Sequence, residues 1–266
     1  MTGMEILKGK RGLVMGVAND HSIAWGIARS ARAHGAEVAL TYQGEQFGRR
    51  VRPLADSIGA AMTLHADVLD AESLNLAFAE IGRVWGGLDF IVHAIAYSDK
   101  NELTGRYADT SRENFLRTME ISCYSFVDVT RRAAEIMPAG GSALTLTYLG
   151  AQRVTPNYNV MGVAKAALEA SVRYLASDLG PQGVRVIALS PGPMRTLAGS
   201  AIAGARRVFK ASAESAPLRR NATLDEVGGA AAFLLSDLGG GVTGEIVFVD
   251  GGHPAMGMPP LADGAA

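Results

Sequence analysis

Short apolar runs alternate along the chain with longer stretches in which apolar positions recur at helical spacing. The short runs predict strands over residues 12–17, 37–42, 61–65, 89–95, 142–147, 184–190 and 245–249. Several, such as Phe90-Ile91-Val92, are apolar on both faces, as buried parallel strands require. The longer stretches predict helices over 22–34, 45–58, 71–84, 112–137, 157–179 and 224–236. Asp70, Ser111 and Thr223 stand where N-caps belong, and Thr223-Leu224-Asp225-Glu226 fits a capping box. Gly35 and Gly59 stand at C-terminal cap positions. Seven strands joined by helices predict one Rossmann-type doubly wound α/β domain over residues 1–266. It has a parallel sheet of about seven strands and helices on both faces. Residues 191–217 are too long for a plain connection and read as a substrate lid. Residues 252–266, rich in Gly, Pro and Met, read as a C-terminal arm. Lys8, Lys10 and Arg11 before an apolar run imitate a short signal peptide, but a helical pattern follows at once, and the run reads as the first buried strand.

Composition narrows the class. Of 266 residues 48% are hydrophobic, 19% are charged and 32 are glycine, against roughly 25% charge and about 7% glycine in ordinary domains. So little charge in a chain of this length points to a large core or to subunit contacts. The apolar content excludes disorder, and the lone Cys123 excludes a disulfide scaffold and fits a reducing, cytoplasmic compartment. A net charge of −1 makes no electrostatic case for nucleic acid or anionic membrane. No apolar run approaches the ~18 residues that span a bilayer. The five histidines show no ligand spacing with one another or with Cys123, so no metal is expected.

The first strand leads into Gly16, then Ser22, Ile23, Ala24 and Gly26. The fingerprint G-x-G-x-x-G is absent. Even so, Gly16 permits a tight turn off the strand, and Ser22 and Ile23 open a helix whose free N–H groups favour a phosphate. Ala24 and Gly26 are small enough for that helix to pack close to the sheet. The second strand ends in Gln43, with Glu45 beyond and no Arg or Lys directly at its end, which favours NADH over NADPH. Arg49 and Arg50 fall on a solvated face. Asp67 and Val68, after the third strand, are placed either to meet an adenine amino group or to form an ordinary Asp turn. His93 reads as a structural or cofactor-contact residue at a strand end.

Tyr158 and Lys165 are seven residues, about 700° of helix, apart, so both lie on one face two turns from each other. An ammonium leaning toward the phenol would lower its pKa and stabilise a developing oxyanion. With these motifs in place, the sequence resembles the short-chain dehydrogenase/reductase superfamily over nearly its whole length. More closely, it resembles the NADH-dependent enoyl-acyl-carrier-protein reductases of type II fatty-acid synthesis. The stretches that carry the resemblance are Gly16-x5-Ser22-x-Ala24, Thr41-Tyr42-Gln43, Leu146-Thr147-Tyr148-Leu149-Gly150, Pro156-Asn157-Tyr158-Asn159-Val160-Met161-Gly162, Pro191-Gly192-Pro193-Met194-Arg195-Thr196-Leu197 and Val249-Asp250-Gly251-Gly252. Tyr148, ten residues before Tyr158, is the discriminator, because the family carries two active-site tyrosines. Ordinary superfamily members have a serine where this chain has Thr145.

The resemblance implies an oxidoreductase of lipid metabolism that transfers hydride from NADH to Cβ of a trans-2-enoyl thioester. Tyr158 stabilises the enolate, Lys165 holds the nicotinamide ribose and Tyr148 shapes the pocket. The proton for Cα comes from solvent or a relay. Implied cofactor contacts are Gly16, Ser22, Ile23, Gln43, Asp67, Val68, Ala94, Lys165, Met194 and Thr196. Implied substrate contacts are Ala96, Tyr97, Tyr148, Tyr158, Met161, Leu197 and Ile202. Many relatives have Gly where this chain has Ala96, so altered tolerance of bulky phenolic inhibitors is expected. Further expectations are an acyl carrier protein steered to Arg206, Arg207 and Lys210, and a homotetramer paired through helices 112–137 and 157–179. In the second of these helices, Ala166, Ala167, Ala170, Ser171 and Ala176 would form the exposed side. Two competing readings are an ordinary short-chain carbonyl reductase or alcohol dehydrogenase, and a non-catalytic dinucleotide-binding sensor.

Overall fold

The computed structural model describes residues 4–138, 140–196 and 204–258. Seven parallel strands form one sheet in the order β3-β2-β1-β4-β5-β6-β7. They are β1 (Arg11–Met15), β2 (Glu37–Tyr42), β3 (Met62–His65), β4 (Phe90–His93), β5 (Gly141–Leu146), β6 (Val184–Pro191) and β7 (Ile246–Val249). The crossovers are α1 (Ile23–Ala33), α2 (Glu45–Ser57), α3 (Ala71–Trp85), α4 (Arg112–Met119), α5 (Ser125–Glu135) and α6 (Asn159–Leu179), followed by α7 (Ala205–Ser215) and α8 (Leu224–Leu235). The strand order reverses beside β1, whose neighbours are β2 and β4. Such a switch point opens a crevice at the carboxyl ends of the strands.

Pleating divides the core. Val14, Val38 and Val92 pack on one face with Trp25 and Ile27 of α1 and with Val227 and Leu235 of α8. Leu13, Met15 and Ile91 pack on the other with Phe78 of α3, Phe126 of α5 and Leu168 of α6. Alternate residues of one strand thus serve opposite layers. The basic residues near the N-terminus lead into β1, whose Gly12–Met15 stretch is buried. The cap residues also act as anticipated. Asp70 accepts from the Glu72 N–H, Ser111 from the Asn114 N–H, and Thr223 forms a capping box with Glu226.

Three local expectations are corrected. The helix over 112–137 is interrupted by a π-helical turn, Glu120–Tyr124. The Ser122 hydroxyl there donates to the Tyr97 carbonyl and accepts from the Tyr97 N–H, both at 3.0 Å. Gly26 gives room for α8 rather than for the sheet: a Cβ on it would lie 3.1 Å from Leu224, and one on Gly228 would lie 2.8 Å from the Gly26 carbonyl oxygen. On α6, Ala176 is buried in the core, so it is not part of the exposed side. Among the described residues no helix is long and apolar enough to cross a membrane, and no group of His, Cys, Asp and Glu could hold a metal ion.

Candidate active site

A cavity of about 1830 Å³ opens at the carboxyl ends of β1, β2, β4, β5 and β6. It brings together Gly16, Ser22, Ile23, Gln43, Asp67, Val68, Ala94, Ala96, Tyr97, Tyr148, Tyr158, Met161, Lys165, Met194 and Thr196 on its wall. Leu197 and Ile202 lie outside the described residues.

Its dinucleotide end is shaped by backbone. Gly16 turns the chain off β1 at φ +100°, and a Cβ there would lie 2.2 Å from the Ala94 carbonyl oxygen. Ser22 acts within the turn, accepting from the N–H groups of Ala18 and Asn19 at 3.0 Å each. No side chain caps α1, so its first-turn N–H groups suit a phosphate. Beyond the end of β2, Gln43 donates to Asp67 at 3.1 Å.

Arg52 was missed by the sequence reading. Its guanidinium stands 4.8 Å over the Tyr42 ring, donates to the Tyr42 hydroxyl at 2.9 Å and is paired with Glu45. A cation therefore does reach the end of β2, but Glu45 neutralises it. The Glu45–Arg52 spacing of two helical turns was the available signal; the tyrosine on another element was not.

The reaction end is built by β4, β5 and α6. Tyr158 is the N-cap residue of α6, between Asn157 at φ 61° and Asn159 at φ 33°. Left-handed backbone costs an L-residue roughly 1–2 kcal/mol, and asparagine is among the residues that tolerate it. This geometry delays the helix by two residues relative to its predicted start and sets the phenol in the wall. The Tyr148 ring meets it edge to face, with centroids 5.2 Å apart.

Lys165 differs from expectation. Its ammonium donates to the Leu146 carbonyl at 2.7 Å, and burial pushes its pKa down to about 8. Burial also pushes the Tyr158 phenol up, reinforced by Tyr148 and Glu169. The anticipated lowering of the phenol by Lys165 is therefore absent: burial, Tyr148 and Glu169 all raise it, and the ammonium is held by the Leu146 carbonyl. Tyr158 stays a neutral O–H donor. His93 is buried, with Nε2 2.8 Å from the Ser125 hydroxyl and Nδ1 3.2 Å from that of Thr145. Burial pushes this imidazole down to about 3, so it is a neutral structural link.

On the lid side, Met194, Arg195, Thr196, Val208 and Phe209 line the cavity. The Arg195 guanidinium lies 4.9 Å over the Phe209 ring. Asn221 donates to the Phe209 carbonyl at 2.8 Å, and Ser215 meets His253 at 2.8 Å, anchoring α7 at its far end. Gly251 and Gly252 border a separate cavity of about 590 Å³ against Pro217 and Arg220, not the large one.

Over residues 16–253 the chain matches the family model described as enoyl-(acyl carrier protein) reductase. It is 59% identical to enoyl-(acyl-carrier-protein) reductase (NADH) 2 of Rhizobium meliloti (strain 1021) over 256 residues, 96% of each chain. Its fold is similar to a crystal structure of the enoyl-(acyl-carrier-protein) reductase of Anaplasma phagocytophilum in complex with NAD. The TM-score is 0.95 at 56% identity, covering 98% of this chain and 100% of that one. The Bacillus cereus enoyl-acyl carrier protein reductase, solved with NADP+ and indole naphthyridinone, gives 0.94 at 49% identity, covering 96% and 100%. By its matched length and its identity to these relatives, the chain belongs to the enoyl-(acyl-carrier-protein) reductase family of the short-chain dehydrogenases/reductases.

Proposed function

We propose that the chain is an NADH-dependent enoyl-acyl-carrier-protein reductase, which catalyses the reductive step that ends each round of fatty-acid elongation. The observation that carries this reading is the pairing of Tyr148 and Tyr158 in one cavity with Lys165, continuous with a dinucleotide crevice. The residues present fit a dinucleotide: the turn at Gly16 has no room for a side chain and the start of α1 is uncapped. When bound, NADH supplies the hydride that adds to Cβ of the enoyl thioester.

The protein's part is electrostatic. Negative charge collects on the thioester oxygen, and Tyr158, kept neutral by burial, donates to it. Lys165, fixed by the Leu146 carbonyl, stands ready for the nicotinamide-ribose hydroxyls. Tyr148 excludes water beside the phenol. Gln43 beyond β2, Glu45 at the start of α2 and Asp67 after β3 disfavour the 2′-phosphate of NADPH, as Arg52 is already paired.

In this reading residues 191–217 are the substrate lid of a one-domain enzyme and 252–266 its C-terminal arm; 197–203 of the first and 259–266 of the second lie outside the described residues. Its carrier is an acyl carrier protein steered by Arg206, Arg207 and Lys210. It works in the cytoplasm as a homotetramer, paired through the faces of α4, α5 and α6. Leu116, Tyr124, Val163 and Tyr174 are exposed there, Tyr174 by 75%, and association would cover them. The reaction is tested with NADH deuterated at its transferable C4 position and a trans-2-enoyl thioester. One deuterium at Cβ of the saturated product supports the reading; an unreduced thioester, with deuterium only on the carbinol carbon of a ketone supplied in parallel, supports an ordinary carbonyl reductase instead.

A further inference from the structure

Glu169 is a buried carboxylate that the reaction described above does not use. Its residue is only 5% exposed. One oxygen accepts from the Thr147 hydroxyl at 2.8 Å and the other from the Gln152 amide at 3.0 Å. Those partners flank the segment that carries Tyr148 and the single turn Leu149–Ala151. Glu169 lies eleven residues after Tyr158 and one turn after Lys165. At 100° per residue, all three share one stripe of α6.

Three consecutive residues at the end of β5 are thus tied to that stripe. The Leu146 carbonyl takes the Lys165 ammonium, the Thr147 hydroxyl takes Glu169, and the Tyr148 ring rests edge-on against Tyr158. We propose that Glu169 is a positioning residue of the reductase: its carboxylate fastens both ends of the Tyr148 segment and supplies the charge against which buried Lys165 is held. A buried carboxylate with two donors and a cation one turn away is costly to place there and is stable only as part of such a set. Two neighbours oppose the effect of burial on Lys165, Cys123 first and Glu169 second, but of these only Glu169 is charged while the thiol keeps its proton. Cys123 on the π turn has its thiol pushed up by burial, the His93 ring on β4 is neutral, and the Tyr158 phenol is protonated.

The proposal rests on the reading that Lys165 and Tyr148 serve the reduction. It is tested on the whole enzyme with Glu169→Gln and Thr147→Val. Glutamine keeps the shape and still accepts from Thr147, while Gln152 turns its own carbonyl to receive the new amide. Valine removes one hydrogen bond and keeps the charge. Turnover and NADH affinity are followed from about pH 6 to about pH 10, with melting curves to verify folding. Glu169→Gln is expected to move the alkaline limb down by about one pH unit. Thr147→Val is expected to leave the limb in place and lower kcat about tenfold. An unmoved limb in Glu169→Gln, or wild-type kcat in Thr147→Val, overturns the role of Glu169. Lys165→Met in parallel separates the two readings. If it abolishes the limb while Glu169→Gln does not move it, Glu169 alone is dismissed; if the limb survives without Lys165, both roles fall.

Discussion

Tyr148 and Tyr158 meet with ring centroids 5.2 Å apart and planes inclined at 73°, so each phenol's surroundings are partly made by the other. Tyr158 is the one at the start of α6, where the strained backbone of Asn157 and Asn159 fixes it. Tyr158→Phe keeps the ring contact and removes only the donor. Its kcat on an enoyl thioester should fall about 10²- to 10³-fold, with NADH affinity unchanged by fluorescence titration.

Lys165 makes cofactor binding sensitive to pH. Its pKa is lowered to about 8 in the free enzyme, so it is charged below that value and loses its proton as pH rises through it. NADH affinity should be flat on the acid side and weaken above about pH 8. Lys165→Met should be weak throughout, without that inflection.

Gly16 has a positive φ and no room for a Cβ against the Ala94 carbonyl. Gly16→Ala must shift the chain where the dinucleotide would lie. Stability should fall by at least about 2 kcal/mol, read by urea denaturation, and calorimetry should detect no NADH binding.

Ala96 lines the cavity beside Tyr97. Its methyl narrows the space open to a bulky phenolic inhibitor, so Ala96→Gly should tighten inhibition severalfold. Equal inhibition constants for the two enzymes would remove Ala96 from the account.

Arg206 and Arg207 are exposed at the start of α7. Reversing both to Glu should raise KM for the carrier-linked enoyl substrate about tenfold or more and leave the coenzyme-linked one nearly unchanged. An equal rise for both would remove charge steering from the account.

The strands were legible because runs apolar on both faces have few other uses, and their observed ends fall within two residues of those predicted. Caps at Asp70, Ser111 and Thr223 were legible because capping is local. The π turn at Glu120–Tyr124 was not, since it depends on Ser122 gripping the Tyr97 backbone, 25 residues away in sequence. Helix α7 was read only as part of a lid, although its apolar and polar positions do separate at helical spacing. At the site, spacing brought Tyr158 and Lys165 together, and the family resemblance added Tyr148. The partner of Lys165 is a backbone carbonyl, which no side-chain pattern reveals; the Thr147–Glu169 and Tyr42–Arg52 contacts join side chains of different elements, which local spacing does not reveal.

The central claim is tested most directly by following NADH and NADPH absorbance with a trans-2-enoyl thioester and, separately, with simple ketones. The account predicts consumption of NADH with the enoyl thioester, little with NADPH, and none with ketones. Turnover of ketones but not of the enoyl thioester would contradict it, as would cofactor binding with no turnover of either.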